Sequence, residues 1–365
     1  MEFRRLGKTD LMVSEVSAGC WAIGGPFVNL GFDGGWSDVP EEDAKAALTK
    51  AIEMGVNLFD TADVYGLGKS ERLVGWLLSE YKNAGRKRED LIVVSKTGLF
   101  RGCAQHGYHP LQMRHQLEMS LYNLGLDYID IYFLHHLDFG EHNQYLQGAV
   151  DAIQQFKAEG LIRFIGLRGP HHFSFYRHSA ESFDADVRTF SELAEMVHPD
   201  VITIRYNMFS TSYNRPESDI FAWALDRDIG ILIYKPLAQG LLIGAYSSDT
   251  PSRFEQGDSR RRKSWFRRPA LAAIEDRVAR LKSHFGVRSI QELVHICIQY
   301  CLSRDRNACV LVGVENANHA TEAFSASGQL SDVDLTFIRK VFTGLDQEID
   351  GFGDLYFESD LSLNT

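Results

Sequence analysis

Eight short apolar runs recur along the chain, each followed by a loop and an amphipathic helical pattern, and this alternation limits the possible folds more than any other feature. The runs are Val16–Gly19, Leu58–Asp60, Leu91–Lys96, Ile129–His135, Phe164–Leu167, Val201–Tyr206, Ile229–Tyr234 and Cys309–Gly313. They are nearly continuous, as expected of strands covered on both faces. Parallel strands need crossover helices, and helical patterns lie between the runs. Ala44, Ala47, Leu48, Ala51 and Ile52 share a helical face that Gly55 terminates. Pro110 can open a helix carrying Met113, Leu117, Leu121 and Leu124, with Gly125 at its end. Ser289 and Glu292 have capping-box spacing ahead of Leu293, Ile296 and Tyr300. Eight units favour a closed barrel over an open doubly wound sheet, and no G-x-G-x-x-G follows any run. The expected class is α/β: a (β/α)8 TIM barrel spanning residues 1–365 as one domain, with a short N-terminal β-hairpin. Long loops at 22–40, 98–109, 169–187 and 238–268 follow the first, third, fifth and seventh runs. In a barrel they would share the C-terminal face, where barrel active sites sit.

Composition narrows the partners. The 365 residues carry 49 acidic and 38 basic side chains, a formal net charge of −11. Such a surface repels phosphate backbones, so no nucleic-acid partner is expected. No window approaches 18 continuous apolar residues, so no membrane span is expected. The arginines in MEFRRLGKTDL precede no apolar stretch, which argues against a signal peptide. Cys20, Cys103, Cys297, Cys301 and Cys309 form no C-x-x-C pair. A reducing, cytoplasmic location is the expectation.

Three consecutive runs end in polar residues that an apolar barrel does not otherwise want. The second ends in Asp60 and leads through Thr61-Ala62-Asp63-Val64 to Tyr65, the third ends Ser95-Lys96, and the fourth Leu134-His135-His136. All three ends would converge on one rim. A tyrosine titrates near pH 10 and is a poor acid at neutrality. A lysine cation close by favours its phenolate. An aspartate beside the lysine fixes and compensates that charge. A histidine can donate to a carbonyl oxygen. Together they make a proton donor aimed at a developing alkoxide, which is what hydride reduction of a carbonyl needs. The hydride itself must come from a cofactor. Singly, an Asp at a strand end is often a helix cap and a Lys an ion-pair partner; three successive strand ends are harder to explain that way.

These residues also carry a family resemblance. FDTADVYGLGKSERLVGWLL, SLYNLGLDYIDIYFLHH and IVVSK resemble signature segments of the aldo-keto reductase superfamily, and the likeness runs from RRLGKTDLMVSEVSAGCW to VLVGVENANHATEAFSA. It implies Tyr65 as general acid/base, Lys96 and Asp60 as its tuning pair and His135 as the carbonyl orienter. It also implies an extended nicotinamide dinucleotide on the C-terminal face. Tyr234 matches the aromatic on which the nicotinamide stacks, followed by Lys235 where Ser is commoner.

The cofactor side departs from the family pattern. Gly166-Leu167-Arg168-Gly169 stands where Gly-Val-Ser-Asn is usual, and Thr203 where a Gln completes the carboxamide grip. After the eighth run, Gly313, Val314, Glu315 and later His319 replace the basic residues of NADPH-preferring members. Glu315 would repel a 2′-phosphate. Against this, Arg260, Arg261, Arg262, Lys263, Arg267 and Arg268 lie in the region that folds over the pyrophosphate; they are either a solvated stretch or an anion site. Arg168 either enters the pocket or turns outward. Trp21 and Trp36 are candidate substrate walls. Adjacent strand residues face opposite ways, so His135 and His136 cannot easily share a metal, and no metal is expected. The resulting expectation is an oxidoreductase using NADP(H), with modest preference over NAD(H), on a small carbonyl or sugar-like substrate. Two rivals remain: a lyase or epimerase reusing the tetrad for proton chemistry, and a non-catalytic dinucleotide-sensing subunit.

Overall fold

The computed structural model describes residues 1–170, 180–210, 219–250, 253–345 and 348. His171, His172 and much of the 169–187 loop lie outside the described residues, as do residues 251–252 of the 238–268 loop. The chain opens with an antiparallel hairpin, β1 (Phe3–Arg5) and β2 (Met12–Ser14). Barrel strand β3 (Val16–Gly19) follows, then a small hairpin, β4 (Val28–Asn29) and β5 (Phe32–Asp33), inside the first long loop. Next come α1 (Glu41–Glu53), β6 (Leu58–Asp60), α2 (Lys69–Asn83), β7 (Ile92–Thr97), α3 (Pro110–Leu124), β8 (Ile129–Leu134), α4 (Leu146–Ala158) and β9 (Ile162–Arg168). The second half adds α5 (Ala180–Val197), β10 (Val201–Arg205), α6 (Ile220–Leu225), β11 (Gly230–Tyr234), α7 (Arg268–Phe285), α8 (Ile290–Leu302), β12 (Ala308–Gly313), α9 (Ala317–Phe324) and α10 (Asp332–Phe342).

Strands β3, β6, β7, β8, β9, β10, β11 and β12 pair in sequence order, all parallel, and β12 returns to β3 to close the barrel. The expected (β/α)8 architecture is therefore observed. Leu58, Ile92, Val94, Ile131, Phe133, Val201, Leu232 and Leu311 pack the interior. Leu6, Leu11 and Val13 from the N-terminal hairpin join them, so the hairpin plugs the bottom of the barrel. The outward strand faces pack on helices, for example on Ala44, Ala47, Leu48 and Ala51 of α1.

Local signals explain the boundaries. Pro110 occupies the first turn of α3, and Gly125 ends it with a φ of 65° that a Cβ would resist. Ser289 caps α8 by accepting from the Glu292 amide. Buried Asp130 on β8 is tied to Arg88 at 2.8 Å and Arg163 at 3.1 Å, and it accepts from the Val93 amide. That fastens the outside of three adjacent strands. Among the described residues no helix is long and apolar enough to cross a membrane.

Candidate active site

Asp60, Tyr65, Lys96, His135, Arg168, Thr203 and Tyr234 reach one cleft, of about 610 Å³, on the C-terminal face. Asp60, Tyr65, Lys96 and His135 line one end. Asp60 and Lys96 project from the ends of the adjacent parallel strands β6 and β7 and form an ion pair at 2.7 Å. Lys96 Nζ also donates to the Thr61 carbonyl at 2.5 Å. Both side chains are buried. Burial pushes the lysine pKa down and the aspartate pKa up, and the opposite charge of each partner opposes the other's shift. A lone buried charge here would be costly; the pair and the carbonyl make it tolerable.

Tyr65 lies in the turn after β6. Its ring centre is 4.9 Å from Lys96 Nζ and 5.7 Å from the His135 ring, which stands at 73° to it. The turn is held by a chain of hydroxyls: Thr61 Oγ1 and Ser70 Oγ are 2.8 Å apart, and Ser70 donates to the Cys20 carbonyl. Backbone fit tightens it further. Gly66 has a φ of 60°, and a Cβ there would lie 2.2 Å from the Gly24 carbonyl oxygen. Neither glycine was singled out from the sequence; a glycine directly after the candidate tyrosine was the available signal.

His135 and His136 separate as alternation demands. His135 lines the cleft. His136 is buried, accepts at Nδ1 from the Asp138 amide and donates from Nε2 to the Gly98 carbonyl at 3.0 Å. Burial pushes its pKa down to about 4, so it is neutral at pH 7. Tyr108 bonds both its amide and its carbonyl, which clamps the 98–109 loop onto the residue after His135.

The other end of the cleft holds the remaining candidates. Arg168 turns inward: Nη2 donates to the Tyr234 hydroxyl at 3.0 Å and Nη1 to the His135 carbonyl at 3.3 Å. Thr203 is its register partner on β10. Lys235, with a φ of 60°, places Nζ 5.5 Å from the Trp21 ring and 5.9 Å from that of Tyr234. Gly313 and Glu315 line the far part with His319 and Glu322. Trp21 and Trp36 meet edge to face at 5.3 Å, and Trp36 donates its indole N–H to Glu315 at 3.0 Å. Trp36 thus joins the first loop to the end of β12 as well as walling the cleft.

Arg260 lines the cleft but is already engaged. Its guanidinium grips Asp258, with the shortest contact at 2.6 Å, donates to Tyr246 and Ser37, and stacks 3.5 Å from the centre of the Trp36 ring. Exposed Arg261 lies 3.6 Å from Asp33. Asp258 was not singled out from the sequence, although it sits two residues before Arg260; its complete burial is visible only in the fold. The loops are also sewn together through the backbone, by Gly35 N to the Gly257 carbonyl and Ser259 N to the Gly35 carbonyl.

The closed parallel barrel agrees with the comparisons. The aldo/keto reductase family model matches residues 29–342, and the chain belongs to that family of oxidoreductases. It is 27% identical to the NADH-specific methylglyoxal reductase of Escherichia coli, covering 94% of this chain and 98% of that one. It is also 27% identical to the L-galactose dehydrogenase of Arabidopsis thaliana, covering 95% and 92%. A solved glycerol dehydrogenase of Gluconobacter oxydans superposes with a TM-score of 0.69 at 24% identity, over 93% of this chain and 94% of that one, a likeness of fold.

Proposed function

We propose that this protein reduces a small carbonyl or sugar-like substrate with a nicotinamide dinucleotide, Tyr65 supplying the proton. The observation that carries this reading is the buried Lys96–Asp60 pair beside the Tyr65 ring, with the His135 ring 5.7 Å from it, at one end of the cleft. The dinucleotide supplies the hydride when bound. Tyr65 and His135 bind the carbonyl oxygen, and the Tyr65 hydroxyl gives its proton as negative charge develops there. Lys96 favours the phenolate that remains. Trp21 flanks Tyr65 at 6.5 Å and walls off water.

The residues along the cleft suit such a cofactor. The Tyr234 ring offers a stacking face. Arg168 can donate to a carboxamide oxygen, and Thr203 can accept from the amide nitrogen. Lys235 and Lys263 bring ammonium groups to the middle of the molecule's path, each 5.5 Å from Trp21. Gln239 Nε2 is buried there with no hydrogen-bond partner in the structure, a donor suited to a pyrophosphate oxygen.

The choice between dinucleotides turns on Glu315. A carboxylate can accept from the ribose hydroxyls of NAD(H) and repels the 2′-phosphate of NADP(H). The expected counterweight, a phosphate grip by loop arginines, is weakened because Arg260 already serves Asp258, Ser37 and Tyr246. We therefore favour NAD(H), as the name of the E. coli relative also does. Glu315→Lys is expected to tighten NADPH about tenfold, since exchanging repulsion for attraction near a surface is worth about 1–2 kcal/mol. Fluorescence titration with NADH and NADPH, before and after the exchange, reads this directly. A wild-type protein that prefers NADPH tenfold or more contradicts it. Binding of neither dinucleotide would overturn the reductase reading and favour the lyase or epimerase alternative.

A further inference from the structure

We propose that the substrate end of the cleft is built for a carbonyl carrying an apolar group, an aryl or alkyl aldehyde, and that the β4–β5 hairpin selects it over a polyhydroxylated, sugar-like one. The inference rests on the reading that Tyr65 serves carbonyl reduction, and narrows it.

The cleft divides by chemistry along the chain. From β3, β6, β7, β8 and the loops after them it is lined by Asp60, Tyr65, Lys96 and His135, and otherwise only by glycine, alanine, valine, leucine, phenylalanine and tryptophan. Among the described residues, all the other polar and charged lining side chains, from Arg168 to Glu322, come from β9 onward, the side read above as holding the dinucleotide. The donors of the first loop are engaged within the protein. Trp21 gives its indole N–H to the Gly34 carbonyl and Trp36 gives its own to Glu315, both at 3.0 Å. The amides of Phe27 and Gly35 donate to the Gly257 carbonyl, that of Gly34 to Phe27 and that of Trp36 to Gly25.

The hairpin completes the apolar wall and is held in place. Phe27, Ala62 and Val64 form a buried cluster on which Phe32, Leu99 and the Tyr65 ring itself pack. Phe27 directly precedes β4 and Phe32 lies in β5. A Cβ on Gly34 would lie 2.4 Å from the Phe27 ring, so the glycine is what lets that ring settle. Asn29 fastens the hairpin to the loop after β7: its side chain accepts from the Arg101 amide at 2.6 Å and donates to the Arg101 carbonyl at 3.0 Å. The wall is therefore present before substrate arrives, and no ordering cost falls on binding. An apolar substituent beside the carbonyl would exchange water for this wall. Sugar hydroxyls in the same place would give up water against carbon, which is unfavourable.

The test compares kcat/KM of the full-length protein for benzaldehyde, butanal, D-glyceraldehyde and D-xylose, with saturating NADH and again with NADPH, each concentration taken as free aldehyde. Wild type should favour benzaldehyde and butanal over both hydroxylated aldehydes by about a hundredfold, the discrimination an apolar pocket exerts on hydroxyl groups. Phe32→Ser and Leu99→Ser each replace carbon in the wall by a hydroxyl, and each should cut the benzaldehyde-to-glyceraldehyde ratio by about tenfold. A ratio is not moved by a general loss of folded protein, as a rate would be. Melting curves identify a variant that fails to fold, in which case the other variant and the wild-type ratio decide. A wild type that uses glyceraldehyde or xylose as well as benzaldehyde overturns the inference and leaves the reductase reading standing. A ratio unmoved in folded Phe32→Ser overturns the hairpin's part in it. Turnover of none of the four aldehydes with either dinucleotide overturns the reductase reading itself.

Discussion

Tyr65→Phe is expected to lower turnover by about 10²–10⁴-fold, the usual cost of losing a general acid, while dinucleotide affinity stays within about twofold of wild type. The substitution removes one oxygen and keeps the ring. The contacts that place the ring remain: the Lys96 ammonium 4.9 Å from its centre, His135 at 5.7 Å and Trp21 at 6.5 Å. The turn that carries it is held by backbone and by the Thr61–Ser70 hydroxyl pair, so the phenylalanine has little reason to move. The loss should therefore fall on the proton transfer and appear in kcat, with a modest effect on KM. Steady-state kinetics on a good carbonyl substrate, paired with an NADH titration, separate the two. Wild-type kcat in the phenylalanine variant would place the proton donor elsewhere, with His135 the next group to examine.

The parts of this arrangement that could be read from sequence are those governed by local chemistry. Strands β3 and β6 begin and end where the apolar runs do, because each is bounded by a residue that changes environment abruptly. Strand β9 is longer than its apolar run: it begins at Ile162, and the run at Phe164. The intervening Arg163 reads as loop by polarity, yet it lies on the outer surface of the barrel and pairs with Asp130 and Asp10. The β4–β5 hairpin escaped detection for a similar reason, since two-residue strands have no periodicity to detect.

The position of the strand-end candidates was legible because the barrel fixes where strand ends go. The contacts of loop residues were not, because their partners come from distant parts of the chain. Arg260 is the clearest case. As sequence it belongs to a basic run; as structure it is held by Asp258, Ser37 and Tyr246 and covered by Trp36, in contacts that need two loops to meet. Trp36 itself reads as a pocket wall, and its bond to Glu315 spans 279 positions in the chain. No periodicity carries such information.

Lys96→Met should reveal two separable consequences. The first is stability. Methionine fills much of the lysine's volume, but Asp60 would be left buried with its ion-pair partner gone, and breaking a buried pair in this way costs about 3–5 kcal/mol. Burial already pushes the Asp60 pKa up, and the lysine is what opposes that shift. Without it the carboxyl should take up a proton at a higher pH than it does in the wild type. The sign follows from linkage: a carboxyl with its folded pKa raised binds more protons when folded than when unfolded, so the variant should gain stability as the pH is lowered through that raised pKa. The second consequence is catalytic. Turnover should fall, and the alkaline limb of the remaining pH–rate profile should move to higher pH, because the cation that favours the phenolate is gone. Lys96→Met combined with Asp60→Asn isolates the two effects. Removing both charges should recover much of the lost stability, since no uncompensated charge remains, without recovering turnover. Thermal unfolding across pH 5–9 beside kcat over the same range provides the measurement. Recovery of both stability and rate in the double variant would mean that the pair is structural and that Lys96 does not act on Tyr65.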